Sequence, residues 1–161
     1  MQAAAQVTPP KVVHTIPAKI DLQEEVKNAR KQLRVAAYCR VSTKQEDQLN
    51  SYEVQRRVYT DKINGEHGWT MVGIYADKGI TGTSVKKRDE FNRLMRHCKQ
   101  GKVDMIITKS VARFARNTLD CLKHTRMLKE HNVDVYFEEQ GIHSIQPGAE
   151  FYITIYGSIA Q

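Results

Sequence analysis

Arg40 and Ser42 stand two apart in the run Tyr38-Cys39-Arg40-Val41-Ser42-Thr43. On an extended chain that spacing puts both on one face. A serine hydroxyl beside a guanidinium is a candidate nucleophile next to an anion binder, because arginine holds its charge and grips phosphate in a bidentate fork. The same residues fit a plainer role, since Ser42 or Thr43 ahead of a helix is a common N-cap. A second run, Lys109 to Asn117, carries Arg113 and Arg116 three apart, neighbours on one helical face or turn. Two guanidiniums side by side repel unless an anion separates them, and near a helix start the dipole opposes both. The plain alternative is a pair of solvated arginines. Arg88 follows a stretch rich in Gly, Thr and Ser and could add a third cation or be ordinary helix surface. Gln55 comes three residues after Tyr52 and four before Tyr59, close to an apolar stripe. Its amide there either makes a core hydrogen bond or points into a site.

Other chemistries lack their residues. The chain has no G-x-S-x-G elbow, no G-x-x-x-x-G-K-[ST] and no G-x-G-x-x-G. Asp77 has no carboxylate partner near it in sequence, which leaves a two-metal site without its second ligand. Cys39, Cys98 and Cys121 form no C-x-x-C pair, and the six histidines form no H-E-x-x-H. A structural metal is therefore not expected, and an odd cysteine count without a framework fits a reducing interior.

The charge is unevenly placed. The 161 residues carry +7, but residues 86–129 hold 13 Lys/Arg against 4 Asp/Glu, while the rest of the chain is slightly acidic. A local field of that sign suits a polyanion, nucleic acid being the usual one, unless it is simply a solvated basic surface. No apolar run approaches the roughly 18 residues of a membrane span. Met1 to Pro10 shows no basic segment leading into an apolar one, so no secretory signal and a cytoplasmic setting are expected.

These residues need a frame. Residues 1–19 carry three prolines and read as a tail, and 20–32 as a short polar helix. Val35 to Cys39 predicts a buried strand, and spacing over 48–66 predicts a helix. Trp69 to Tyr75 predicts a second strand, and Asp77 to Lys87 a loop. Phe91, Leu94, Met95 and Cys98 predict an amphipathic helix stopped by Gly101. A strand over Val103–Thr108, a helix over Asn117–His131 with Leu119, Leu122 and Leu128 as apolar contacts, and a strand over Val133–Phe137 follow. Phe151 to Gln161 reads as a last helix that the chain end cuts short. Strands alternating with helices predict an α/β domain with a mainly parallel central sheet flanked by helices. Such sheets carry their functional loops at the strands' carboxyl ends, here 39–47, 76–87, 108–116 and 137–148.

Over residues 33–161 the chain resembles the catalytic domain of the serine recombinases (the resolvase/invertase family). The likeness is strongest to the large members of phages and conjugative transposons. Tyr38 to Thr43 is similar to that family's nucleophile motif. Tyr75 to Gly82 with Arg88 and Phe91 is similar to its second motif, and Ser110 to Asn117 to its third. The resemblance implies that Ser42 attacks a DNA phosphodiester to form a 5′-phosphoserine, followed by strand exchange and religation. It implies that Arg40, Arg113 and Arg116 hold the scissile phosphate, with Gln55 and Arg88 at supporting positions. It also implies no metal or other cofactor, double-stranded DNA as partner, and dimers that meet in a synaptic tetramer. Preorganised cations facing charge that builds on phosphoryl oxygens are physically apt for this reaction.

Two departures matter. Small resolvases have Asp immediately before the first arginine of the third motif, where this chain has Ala112. That change lends weight to the alternative of a catalytically silent DNA-binding or assembly module on the same fold. Residues 1–32 are an extension that small resolvases lack, and the chain is expected to stop at or near the start of the family's long dimerisation helix. The isolated fragment is accordingly expected to be inactive and to bind DNA weakly and salt-sensitively.

Overall fold

The computed structural model of the chain describes residues 32–41, 45–78 and 88–159. The tail over 1–19, nearly all of the expected helix over 20–32, Ser42, and most of the loop expected over Asp77–Lys87 lie outside the described residues. In chain order the described elements are β1 (Leu33–Val41), α1 (Gln45–Gly65), β2 (Trp69–Lys78), α2 (Asp89–Lys99), β3 (Met105–Thr108), α3 (Val111–Phe114), α4 (Thr118–Glu130), β4 (Asp134–Phe137), β5 (Ile142–His143) and α5 (Ala149–Ile159). The strands form one sheet in the order β2-β1-β3-β4-β5. β1 runs parallel to β2 and β3, β3 parallel to β4, and β5 antiparallel to β4. The expected mainly parallel α/β sheet is present.

β1 explains why its sequence reads as an unbroken apolar run. Val35 through Tyr38 are fully buried and Cys39 nearly so. A strand covered on both faces has no solvent side to mark with polar residues. The two-residue alternation survives as two separate cores. Val35, Ala37, Cys39, Met105 and Ile107 pack with Tyr59 and Ile63 of α1. Ala36, Tyr38, Ile106, Val135 and Phe137 pack on the other face with residues of α2, α3, α4 and α5. Helices thus cover both faces, α1 on one and the rest on the other.

Strand order reverses between β1 and β3. Such a reversal, at the carboxyl ends of the strands, is the usual ligand position in sheets of this kind. Arg40 lies at the end of β1, and the segment 109–116 leaves the end of β3.

The structure refines several expectations. β2 continues to Lys78, because β1 pairs with it from Leu33↔Trp69 to Val41↔Lys78. β3 begins at Met105 rather than Val103. Its predecessor Asp104 is held by Arg34, whose Nε and Nη2 donate to the carboxylate at 2.9 and 2.7 Å. Gly101 does end α2: at φ +68° it adopts a backbone shape that side chains resist, and its N–H donates to the Cys98 carbonyl at 2.9 Å. Leu119 is a correction. It is 76% exposed, and α4 buries Cys121, Thr125 and Leu128 instead. α3 and β5 were not expected, since four and two residues are too short to show a period.

Candidate active site

A buried polar network lies at the carboxyl ends of β1 and β2. Asp77, the last residue but one of β2, stands directly beside Arg40 in the strand register. Its carboxylate accepts hydrogen bonds from the backbone N–H groups of Glu90 and Phe91, each at 3.0 Å, and so caps the start of α2. Negative charge suits that end of a helix. Tyr38, two residues before Arg40 on the same face of β1, donates its hydroxyl to Asp77 Oδ2 at 3.0 Å. Burial pushes the Tyr38 phenol up to about 12, so it serves as a neutral donor.

Arg88 closes the network. Its Nε and Nη2 donate to Tyr38 Oη at 3.2 and 3.0 Å, and Nη2 also donates to the Phe114 carbonyl. The guanidinium lies 3.6 Å from the centroid of the Phe91 ring, a cation–π contact. Phe91 in turn meets Tyr38 and Phe114 edge-on at 5.1 and 5.3 Å. One half-buried arginine therefore ties together β1, α2 and α3.

Three further guanidiniums gather around this strut. Arg40 is half-buried and donates to the Ala112 carbonyl at 3.3 Å. Burial lowers its affinity for its proton, and the neighbouring charges of Arg88, Arg113 and Arg116 lower it further. Arg113 is the third residue of α3, while exposed Arg116 lies in the link between α3 and α4. The pair therefore sits at a helix end and a link rather than on one helical face. α4 then starts properly capped, with Asn117 Oδ1 accepting from the Asp120 N–H at 2.8 Å. Neither Arg40 nor Arg113 has an ion-pair partner among the described residues. Like charges held together in this way suit an anion.

Arg40, Arg88, Arg113 and Arg116 are thus brought together, while Ser42 lies outside the described residues. Gln55 is half-buried on α1, one turn before Tyr59 and on the other face of the sheet from Arg88. Tyr38, Asp77 and the Phe114 carbonyl were given no role from sequence. Asp77 caps a helix more than ten residues downstream, beyond the reach of any local capping pattern. The position of Ala112 contributes its backbone carbonyl to Arg40, which no side-chain motif announces.

A second polar group supports α1. Tyr59 Oη donates to Glu138 Oε2 at 2.7 Å, and Lys62 pairs with the same carboxylate. The nearby segment also supports α3, whose first N–H, from Val111, donates to Gln140 Oε1 at 3.3 Å. A third group, Asp134, His143 and Ser144, contains the residue types of a hydrolase triad but not its wiring. Ser144 Oγ donates to Asp134 Oδ1 at 3.1 Å and His143 Nδ1 is 2.5 Å from Oδ2. The serine faces the carboxylate and not the imidazole, so no base addresses it. Among the described residues no cluster of His, Cys, Asp and Glu is arranged to hold a metal ion.

A family model described as "Resolvase, N terminal domain" matches residues 35–161. A solved structure of a resolvase family site-specific recombinase from Streptococcus pneumoniae is 31% identical, covering 80% of this chain and 86% of that chain with a TM-score of 0.60. The N-terminal catalytic domain of TP901-1 integrase is 21% identical over 78% of this chain and 92% of that chain, with a TM-score of 0.55. The C-terminal catalytic domain of ISC1926 TnpA, an IS607-like serine recombinase, is 19% identical over 65% and 68%, also at 0.55. These last two share the fold. No curated protein matches the chain. Because the family match spans almost all of the sheet and its helices, and a relative at 31% identity follows it across most of both chains, this chain belongs to the resolvase family of serine recombinases.

Proposed function

We propose that the chain carries the DNA-cleaving domain of a site-specific recombinase, with Ser42 as its nucleophile. Ser42 Oγ gives up its proton and bonds to a backbone phosphorus. The bond from phosphorus to the 3′ oxygen breaks, and that oxygen leaves as a hydroxyl. The product is a 5′-phosphoserine whose ester energy is kept for religation, by the reverse step, to a new 3′ end. Arg40, Arg113 and Arg116 take the non-bridging oxygens as charge builds on them, a stabilisation that fixed cations supply without reorganising. Arg88 holds the frame, and Gln55 supports the site from α1.

The observation that carries this reading is the half-buried Arg40, crowded by three like charges at the strand-order reversal. Its support from outside is the relative that is itself a resolvase family site-specific recombinase. The partner is duplex DNA, and the setting is the cytoplasm, consistent with the lack of a membrane-crossing helix among the described residues. Residues 1–32 form an extension and 33–161 the catalytic domain. Self-association into dimers and tetramers uses α5, where Phe151, Tyr152, Ile155, Tyr156 and Ile159 are all 40% exposed or more.

The test is a nicked or suicide DNA substrate that traps a covalent adduct, given to a full-length recombinase containing this domain. The adduct is expected with the native sequence. Ser42→Ala should abolish it while DNA binding persists. Synapsis without any adduct would instead establish the silent assembly module.

A further inference from the structure

α3 is a single turn, and one turn of helix does not hold itself. It buries Val111 and Phe114 and leaves Ala112 and Arg113 exposed. Ser110 stands at its N-cap with an extended backbone, yet the serine side chain makes no capping hydrogen bond. The acceptor comes from elsewhere: the Val111 N–H donates to Gln140 Oε1 at 3.3 Å. Arg113 has no ion pair among the described residues, so its place follows the backbone of this turn. The Ala112 carbonyl, which accepts from Arg40 at 3.3 Å, moves with the same turn. The start of α3 therefore sets two of the clustered arginines at once.

Gln140 is itself firmly held. Glu138 and Glu139 extend the pairing of β4 with β3, their N–H groups donating to the Thr108 and Lys109 carbonyls at 3.0 and 2.9 Å. Gly141 closes the turn at φ +62°, its N–H donating to the Glu138 carbonyl at 3.2 Å. The Glu138 carboxylate accepts from Tyr59 Oη at 2.7 Å and pairs with Lys62, both on α1. Glu139 pairs with Lys109 at 3.6 Å. The turn after β4 thus grips α1, the helix of Gln55, through Glu138, and α3 through Gln140. An acceptor 29 residues away ties α3 to the sheet, as a capping serine at position 110 would not.

We infer that Gln140 is a positioning residue for the anion site: its amide oxygen fixes the start of α3, and through it the placement of Arg113 relative to Arg40. This rests on the reading above of those arginines as phosphate ligands. Gln140 itself touches no phosphate, and its neutral amide leaves the charge of the site unchanged. Without that oxygen the Val111 N–H loses its acceptor, and the turn must shift to find another. The shift displaces the Ala112 carbonyl and the Arg113 backbone together.

The test is a titration of inorganic phosphate into the folded 161-residue chain, followed by the backbone amide NMR shifts of residues 111–116. The native chain should saturate, and Arg113→Ala should lose that saturation. Gln140→Leu removes the acceptor at similar volume, and Gln140→Asn draws it back along a shorter side chain. Either should move the Val111 amide shift before phosphate is added. Either should also weaken phosphate binding about threefold to tenfold, the range of one lost hydrogen bond. Ser144→Ala is the control, because its hydroxyl bonds Asp134 and Val135 rather than α3. It should lower the Tm and keep the native Kd, which separates loosening of the β4–β5 hairpin from misplacement of the arginines. A native Kd in either Gln140 variant overturns the positioning role and leaves the arginine site standing. An equal loss of affinity in Ser144→Ala also overturns it, as general loosening. Equal phosphate binding by the native and Arg113→Ala chains overturns the arginine site and this role with it.

Discussion

Replacing Tyr38 with phenylalanine removes one oxygen from the centre of the buried network and leaves the ring in place. The ring still meets Phe91 at 5.1 Å and Phe114 at 6.3 Å, so no cavity opens. Three hydrogen bonds are lost: the one to Asp77 at 3.0 Å and the two from Arg88 at 3.2 and 3.0 Å. Each has an ionised partner, the class for which a lost bond costs about 1.5–3 kcal/mol. The losses do not add, since the three share one atom and both partners keep other contacts. Asp77 retains the amides of Glu90 and Phe91, and Arg88 retains the Phe114 carbonyl and the Phe91 ring. The expected cost is therefore about 2–3 kcal/mol in total. With a urea slope of about 1–3 kcal/mol/M, the unfolding midpoint falls on the order of 1 M at unchanged slope. Because the phenol is pushed up to about 12, the difference should stay flat across neutral pH. Covalent adduct formation should slow as well, since Arg88 loses two of its anchors. A Tyr38→Phe chain that unfolds with the native midpoint and slope would refute the network as the frame of the site.

Other perturbations probe other parts of the fold. Gly157→Ala places a methyl 3.1 Å from Thr118 Cβ and Cγ2, and closer still to Oγ1. It should push α5 off the start of α4 at a cost of about 1–3 kcal/mol, read as a lower Tm. Thr108→Val removes a buried hydroxyl that has no partner among the described residues. It should stabilise the chain by up to about 1 kcal/mol in urea unfolding. His124 titrates below its ordinary value because of burial and then Arg88, so the unfolded chain binds its proton first. Stability should fall as pH drops from about 7.5 through the unfolded value near 6.5, and His124→Gln should flatten that slope in urea midpoints. Inorganic phosphate at about ten times its Kd should raise native stability by about 1.4 kcal/mol, measured as a Tm increase that Arg113→Ala removes.

Sequence periodicity was informative where an element is long and one-sided. α2 was legible because Phe91, Leu94, Met95 and Cys98 repeat at helical spacing before a glycine that can take φ +68°. β1 was legible as a buried run. Leu119 misled because hydrophobicity was read without the phase of the helix, which Cys121, Thr125 and Leu128 fix one face away. The arginines were legible by type and order, whereas the groups that hold Arg88 were not. Tyr38 and Asp77 meet only because β1 and β2 pair in register, and the Phe114 carbonyl has no side-chain signature. Contacts through backbone atoms, and across tens of residues, belong to the tertiary fold and leave no local pattern.

The four arginines divide by what holds them. Arg88 has a phenol, a carbonyl and an aromatic face, and it ties three elements together. Arg40 has one carbonyl at 3.3 Å, and half-burial beside three like charges already weakens its hold on its proton. That crowding costs stability and is relieved when an anion arrives. The two kinds of arginine should therefore respond with opposite signs. Arg88→Ala should lower the unfolding midpoint with or without phosphate, because the strut is lost in both states. Arg113→Ala should leave the midpoint without phosphate unchanged or higher, since a repulsion is removed, and should lose only the phosphate-dependent gain. A fall in the phosphate-free midpoint of Arg113→Ala as large as that of Arg88→Ala would mean that Arg113 also belongs to the architecture, and the separation between frame and anion site would fail.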